Sequence, residues 1–483
     1  MLKTYSSTWD YRDFLFCNKV LLDRSQLDRL DSPLYRSARH KLSKLDPALV
    51  FDILTPLYSS TGRPAIDPFI LIRSFILMQH LGYISIRRWC DDLRYDTLLQ
   101  YLIGSFDPPS SSSHYDFIIR LTGCDPHLSE LHKKNFYSKV DKKKLKLKKG
   151  DKMVNFKPED TFTLSEKYRN SAEFDRERMM FTLQSLFNAL SVIPSFEKGL
   201  IDSDNLTLSA DGSSLHIHAS AFGHRVIESQ DEEENTHRYS APEADIGWDS
   251  DKECYYLGYT FYNIAYHSSV YNCDLPVFIS IEKASRHDAL SCITTAAQFL
   301  DMNPDIHPKY FCHDSAADST AIYEFFHDHN ITPVIDHNAR NKTAKQYDEK
   351  EHLNADGIPV CAAGHTMIYN GYDPGRHRKK YRCPLACGKI TSCPFQDECS
   401  TSSYGLTVYV NDGDEARNNG PLSYRSDKWK QIYKNRTSTE RINNRVLNNY
   451  NLQHMRIRNK AKFAFFAIMA GINIHLDAWI KAG

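Results

Sequence analysis

The chain has 483 residues, 41% hydrophobic and 12% aromatic, enough to bury a sizeable core and to form two or three domains. Its 60 basic and 60 acidic residues cancel, which excludes a uniformly polycationic or polyanionic protein, and its twelve cysteines without a secretory leader argue against a disulfide scaffold. Charged residues and no apolar run follow Met1 to Asp10, and the uncharged stretch Phe463 to Ile474 reads as a buried helix too short for a bilayer, so a cytoplasmic protein without a membrane partner is expected.

The charge is segregated along the chain. Residues 1–150 carry a net +8, residues 421–462 a net +9, and residues 151–420 about −17. Basic flanks around an acidic middle suit a protein that grips phosphates at both ends and concentrates carboxylates between them; chance segregation of surface charge would look the same.

In chain order, the first well-marked element begins at Asp67-Pro68, a cap followed by proline at the first helical position, and its apolar run Phe69 to Leu81 stops at Gly82. Three short helices follow, over Ile86 to Leu93, Tyr95 to Ile103 and Ser113 to Leu121. With Arg87, Arg88, Arg94 and Arg120, they fit a helix-turn-helix-like DNA-binding domain over residues 1–138, or equally a small bundle with solvated arginines. Nine lysines between Lys133 and Lys149 mark a basic linker, residues 139–168, able to track a DNA backbone without reading sequence. Phe174 to Val192 then reads as one amphipathic helix.

A strand-rich block comes next. NLTLSADGSSLHIHAS, from Asn205 to Ser220, alternates apolar and polar residues and carries Asp211 inside the strand rather than in a turn. CYYLGYTFYNIAYHSS and LPVFISIEKAS give two further strands, the loop before them holding the acidic run Asp231 to Glu234. A helix over Asp288 to Leu300, the strand KYFCHD ending at Asp314, a helix over Thr320 to His329 and the strand ITPVID complete the order. Three meandering strands followed by helix, strand, helix, strand describe an α/β layer with a mixed sheet, the order of a ribonuclease H-like core. Residues 169–345 form its first part and residues 426–483 its C-terminal helices.

In that order the ends of the first and fourth strands adjoin, so Asp211 and Asp314 meet. Converging carboxylates repel unless a divalent cation lies between them, and two Mg²⁺ (or Mn²⁺) ions about 4 Å apart can activate a nucleophile and stabilise a leaving oxygen at a phosphodiester. The third acid falls in YKNRTSTERINNRVLNNYNLQHMRIRNKAK, where Tyr433, Arg436 and Glu440 share one side of a basic helix. Each acid also has a plain local reading. Asp211 before Gly212 suits a turn, Asp314 a helix cap with Asp318 or Asp336 as the true second acid, and Glu440 a capping box with Thr437. His216 and His218 point opposite to Asp211 by strand alternation and are left out of the site.

Tyr433, Arg436 and Glu440, with gaps of two and three residues, resemble the last acidic signature of the insertion-sequence DDE transposases. The segment from Gly62 to Gly104 is similar to that family's N-terminal helical domain, and ADGSS and HDSAAD look like its first and second acidic motifs. The resemblance implies a nucleoid-associated DNA transposase. It would use Mg²⁺ held by Asp211, Asp314 and Glu440 as an endonuclease on element ends and join the 3′-hydroxyls to target double-stranded DNA, acting as a homodimer on that DNA. A non-catalytic DNA-binding protein and a nuclease without strand transfer are the alternatives. Seven residues after Glu440 the family usually has lysine; here Leu447 stands there, with Arg445 as a possible substitute.

Between the last strand and Glu440 lies a cysteine-rich insertion, residues 346–425. Cys361, Cys383, Cys387, Cys393 and Cys399, with His365 and His377 nearby, exceed the four soft ligands of a structural zinc, although the spacing is not a clean pair of knuckles and reduced core cysteines remain the alternative. Arg376, His377, Arg378, Lys379 and Lys380 beside them suit a DNA clamp. The resemblance also implies such an insertion at this point.

Overall fold

The computed structural model describes residues 2, 7–124, 160–170, 178–220, 224–226, 236–338, 354, 358–373, 378–411, 421, 422 and 424–483. The lysine run, the acidic run Asp231 to Glu234, and Arg376 and His377 lie outside them.

A mixed sheet organises the middle of the chain. Its strands are β1 (Thr207–His216), β4 (Asp245–Asp249), β5 (Cys254–Ser268), β6 (Cys273–Lys283), β7 (Tyr310–His313) and β8 (Thr332–Ile335), while β2 (His224–Val226) and β3 (Thr236–Arg238) form a separate small hairpin. The order is β4-β5-β1-β7-β8 with β6 on β5; β1, β5 and β6 pair antiparallel, β1 with β7 and β7 with β8 parallel. The meander and the two strand-helix repeats expected from the alternation are therefore present, with β4 as an addition. It emerges from the loop that holds the acidic run and adds to the first part of the long β5. Gly258 is where these ladders meet: a Cβ there would stand 2.0 Å from the Leu215 carbonyl oxygen, so the close approach of β1 to β5 requires glycine.

The buried strands β5 and β6 are near-continuous apolar runs because helices cover the sheet. The helix Asp288–Met302 packs against β1, β5 and β6, and the C-terminal helix Lys460–Ala482 lies along β6. That last helix corrects the short apolar run seen in the sequence. At 23 residues it is long and apolar enough to cross a bilayer, yet 89% of its most apolar window is buried inside the fold. Its two flanking lysines and Asp477 hid the length.

The helical N-terminal region is built as expected, with helices over Pro68–His80, Ile86–Tyr95, Thr97–Ile103 and Ser111–Thr122. Asp67 and Ser110 cap two of them, and Gly104 and Gly123 end two in the left-handed region. Helix Pro68–His80 is apolar nearly all round because it is enclosed by its neighbours and by the C-terminal helix. Phe75 meets Phe465 and Phe466 edge to face, Gln79 donates to the Phe466 carbonyl, and Asn473 donates to the Ile76 carbonyl. The fully buried Lys41 is paired with Asp477 at 2.8 Å and donates to Asn473 and Tyr450. One hydrophobic core consequently runs from Tyr11 to Trp479.

The stretch read as one amphipathic helix is helical over Arg178–Phe187, widens into a π-turn at Asn188–Val192 and closes at Glu197. Pro194 has no N–H to return to Leu190, which accounts for the irregular turn. A separate three-stranded antiparallel sheet, β9 (Ile368–Asp373), β10 (Arg378–Arg382) and β11 (Thr407–Asn411), holds the cysteine-rich segment.

Candidate active site

Asp211 lies in mid-ladder on β1, opposite Asn263 of β5, so the turn reading of Asp211-Gly212 does not hold. The parallel register of β1 with β7 matches Ser209 to Cys312. Two residues further along come Asp211, still inside β1, and Asp314, just past the end of β7, which this register places side by side. Asp314 also does what a helix-cap residue does, accepting the Ala316 N–H at 3.0 Å. The alternative acids are engaged elsewhere: Asp318 accepts the Asn338 N–H, and Asp336 accepts the Tyr424 hydroxyl and the His337 N–H.

Helix Thr437–Asn444 crosses this end of the sheet. It carries no side-chain cap, so Glu440 is not part of a capping box; instead Arg436 Nη2 donates to Glu440 Oε1 at 2.5 Å. One turn on, Asn443 Nδ2 donates to Asp211 Oδ2 at 3.1 Å. Asp211, Asp314, Arg436, Glu440 and Asn443 line one open cleft of about 1070 Å³.

The electrostatics follow from crowding. Burial first, then the neighbouring Asp288 and Asp314, push the Asp211 carboxyl up to about 7. Asp288 is raised for the same reasons. Asp314 goes the other way: burial works to raise it, but the His313 hydrogen bond and charge, the Ala316 N–H and Arg436 outweigh this and hold it below the usual range. His313 is buried yet raised, because the 2.8 Å hydrogen bond to Asp314 and the surrounding carboxylates overcome desolvation. Its Nε2 meets the Tyr262 hydroxyl at 2.9 Å.

Three contributors were not legible as such. In the sequence Asp288 reads only as the start of a helix and His313 as part of a buried strand, and nothing singles out Asn443. The adjacent His-Asp pairs in SRHDAL and FCHDSA are the only sequence signal that marks the first two.

Two family models match the chain. Residues 32–120 are similar to the Transposase domain (DUF772), and residues 360–476, which include Arg436 and Glu440, to the Transposase DDE domain. Both matched segments are those of transposase domains, and together they support an insertion-sequence DDE transposase. No curated protein matches it. Asp211, Asp288 and Asp314 fall between the two matched segments of the transposase, so their place rests on the geometry of the sheet.

Other residues singled out in the transposase sequence separate into two groups. Arg87, Arg88 and Arg94 are exposed on helix Ile86–Tyr95, as a DNA contact requires. Arg120 instead donates to the Leu57 carbonyl, and Arg445 pairs with Asp477 at 2.9 Å. Tyr433 stacks on Trp429 with ring centroids 4.5 Å apart, beneath Arg436. His216 lies on the Ser214 side of β1, bonded to Asp249 at 2.7 Å.

In the cysteine-rich segment, β9, β10 and β11 meet at Ile368, Arg382 and Thr407. This brings Cys361, Cys383 and the loop holding Cys387, Cys393 and Cys399 to one end of the small sheet. Partial desolvation and then the thiols of Cys383, Cys361 and Cys393 raise Cys399. Among the described residues, no three His, Cys, Asp or Glu side chains stand close enough to form a metal-binding group, either here or in the cleft.

Proposed function

We propose that the protein cuts DNA at the ends of a mobile element and joins the freed ends to target DNA. The observation that carries this reading is the single cleft lined by Asp211, Asp314 and the Arg436–Glu440 pair. Strand order and helix placement support a ribonuclease H-like core as the scaffold. The donor set suits Mg²⁺ or Mn²⁺: hard carboxylate oxygens, two of them on the neighbouring strands β1 and β7, one of these pushed up to about 7 by burial and then by the adjacent carboxylates.

Bound there, divalent ions supply Lewis acidity at the scissile phosphate and lower the cost of the leaving oxygen's charge. Asp211 and Asp314 would hold the ions and Glu440 complete the set, while Arg436 orients Glu440 and adds positive charge beside the phosphate. In the first step water oxygen bonds to phosphorus and the bond to the 3′-oxygen breaks, leaving a 3′-hydroxyl and a 5′-phosphate. In the second that 3′-hydroxyl attacks a target phosphodiester, displacing a target 3′-oxygen. Exposed Arg87, Arg88 and Arg94 would contact phosphates away from the cleft, and a homodimer would bring two ends together.

The test is incubation with Mg²⁺ and DNA carrying the element's own ends. Cut ends joined to a target plasmid are expected. Cut ends without joining identify a nuclease, and binding without cutting a regulator.

The small sheet supports a second, structural metal. Cys361, Cys383, Cys393 and Cys399 would draw together on Zn²⁺, with Cys387 on the turn whose N–H bonds the Cys383 carbonyl. Metal content of the purified chain checks this: one zinc per chain, lost in Cys383→Ser, is expected, and no zinc overturns it.

A further inference from the structure

Asp288 enters the cleft from the opposite face of β1, over Gly212. A Cβ on Gly212 would lie 2.7 Å from Asp288 Oδ1 and 3.0 Å from Thr260 Cγ2, so the residue beside Asp211 leaves room for this carboxylate. Asp288 lines the same cleft as Asp211, Asp314 and Glu440.

Its situation differs from that of Asp211, Asp249, Asp314 and Glu440, the other acids named around the cleft; Asp251, also in the lining, is exposed to solvent. Asp211 accepts from Asn443, Asp314 from His313 and Ala316, and Glu440 from Arg436. Asp249, farther along the cleft, accepts from Ser214, His216 and two backbone N–H groups. No described residue donates a hydrogen bond to Asp288. A recessed carboxylate without donors is costly unless a cation takes the donors' place.

A purely structural reading exists, since an acid in the first turn of Asp288–Met302 complements the helix dipole. It does not explain the geometry. The cap of that helix is His287, whose Nδ1 accepts the Ala289 N–H at 3.2 Å, and Asp288 turns to the cleft instead.

We propose that Asp288 is a further divalent-cation ligand of this site, acting beside Asp211 and Asp314 from across the strand. The inference rests on the metal site proposed above. It makes the recessed part of the site a set of three aspartates, with Glu440 at the exposed rim, its side chain 51% accessible and held by Arg436.

The experiment is Mn²⁺ titration of the full chain, followed by electron paramagnetic resonance of the free ion, together with the melting temperature in chelator. Asp288→Asn is expected to weaken Mn²⁺ binding about tenfold or more and to leave the ion-free melting temperature equal or higher, because an unpartnered charge is removed. A structural helix-start acid would instead lower the melting temperature and leave Mn²⁺ binding unchanged. Gly212→Ala, which displaces the Asp288 carboxylate without removing its charge, is expected to weaken Mn²⁺ binding too, and decides the matter should Asp288→Asn not fold. Wild-type Mn²⁺ affinity in both variants, with affinity lost in Asp211→Asn, overturns the role of Asp288 alone. Wild-type affinity in Asp211→Asn as well overturns the metal site itself.

Discussion

Asn443 donates its side-chain N–H to Asp211 at 3.1 Å while its carbonyl oxygen receives the Asn263 amide at 2.6 Å, linking β1, β5 and the Glu440 helix across the cleft floor. Asn443 and Asn263 are both buried, so neither group can turn to water. Replacing Asn443 with Leu strands the Asn263 amide and one Asp211 oxygen. A loss of about 1–3 kcal/mol in urea unfolding is expected, and the freed carboxyl should titrate at still higher pH.

The raised Asp211 gives stability a pH dependence with a definite sign. A carboxyl moved from its usual range up to about 7 favours the protonated fold. Its contribution is complete below the unfolded value and disappears as pH rises through about 7. The melting temperature of the ion-free protein should therefore fall between roughly pH 5 and 8. Asp211→Asn should flatten that fall, and millimolar Mg²⁺ should reverse it in the wild type alone. A flat wild-type profile contradicts the assignment.

Lys41 is a buried cation fixed between helix Pro33–Ser43 and the C-terminal helix by Asp477, Tyr450 and Asn473. Lys41→Ala removes the buried cation but leaves the part-exposed Asp477 paired with Arg445, and should cost about 1–3 kcal/mol. Lys41→Met keeps the stem and should cost less. Chemical denaturation of the two variants separates charge from packing.

Gly258 tests the sheet itself. Alanine there would set a Cβ 2.0 Å from a backbone oxygen of β1, which cannot move aside as a side chain can. Gly258→Ala should give insoluble or poorly folded protein, whereas Gly199→Ala, which has open space around it and only the strain of a left-handed φ of +69° to bear, should lose about 1–2 kcal/mol and stay soluble; circular dichroism after expression distinguishes them.

Much of this arrangement is written in short-range pattern. Alternation in LTLSADGSSLH and the apolar runs of β5 and β6 mark the strands, and Asp67-Pro68 and the serines before His114 mark helix starts. The order of strands then brings Asp211 beside Asp314, since parallel pairing of β1 and β7 leaves no other outcome. What the pattern cannot carry is the long-range partner. Arg445 looks like any basic residue of its helix until Asp477, 32 positions later, faces it. Asp288 looks like a helix-start charge until Gly212 is seen beneath it. The length of the C-terminal helix was masked because Lys460, Lys462 and Asp477 interrupt its apolar run, and the burial that tolerates them is tertiary.

The most direct measurement is the rate of Mg²⁺-dependent cleavage of DNA bearing the element's ends, compared between wild type and Asp211→Asn at equal folded concentration. Loss of metal stabilisation worth several kcal/mol lowers that rate by roughly three orders of magnitude, with DNA binding retained. Cleavage by Asp211→Asn at the wild-type rate would contradict the account.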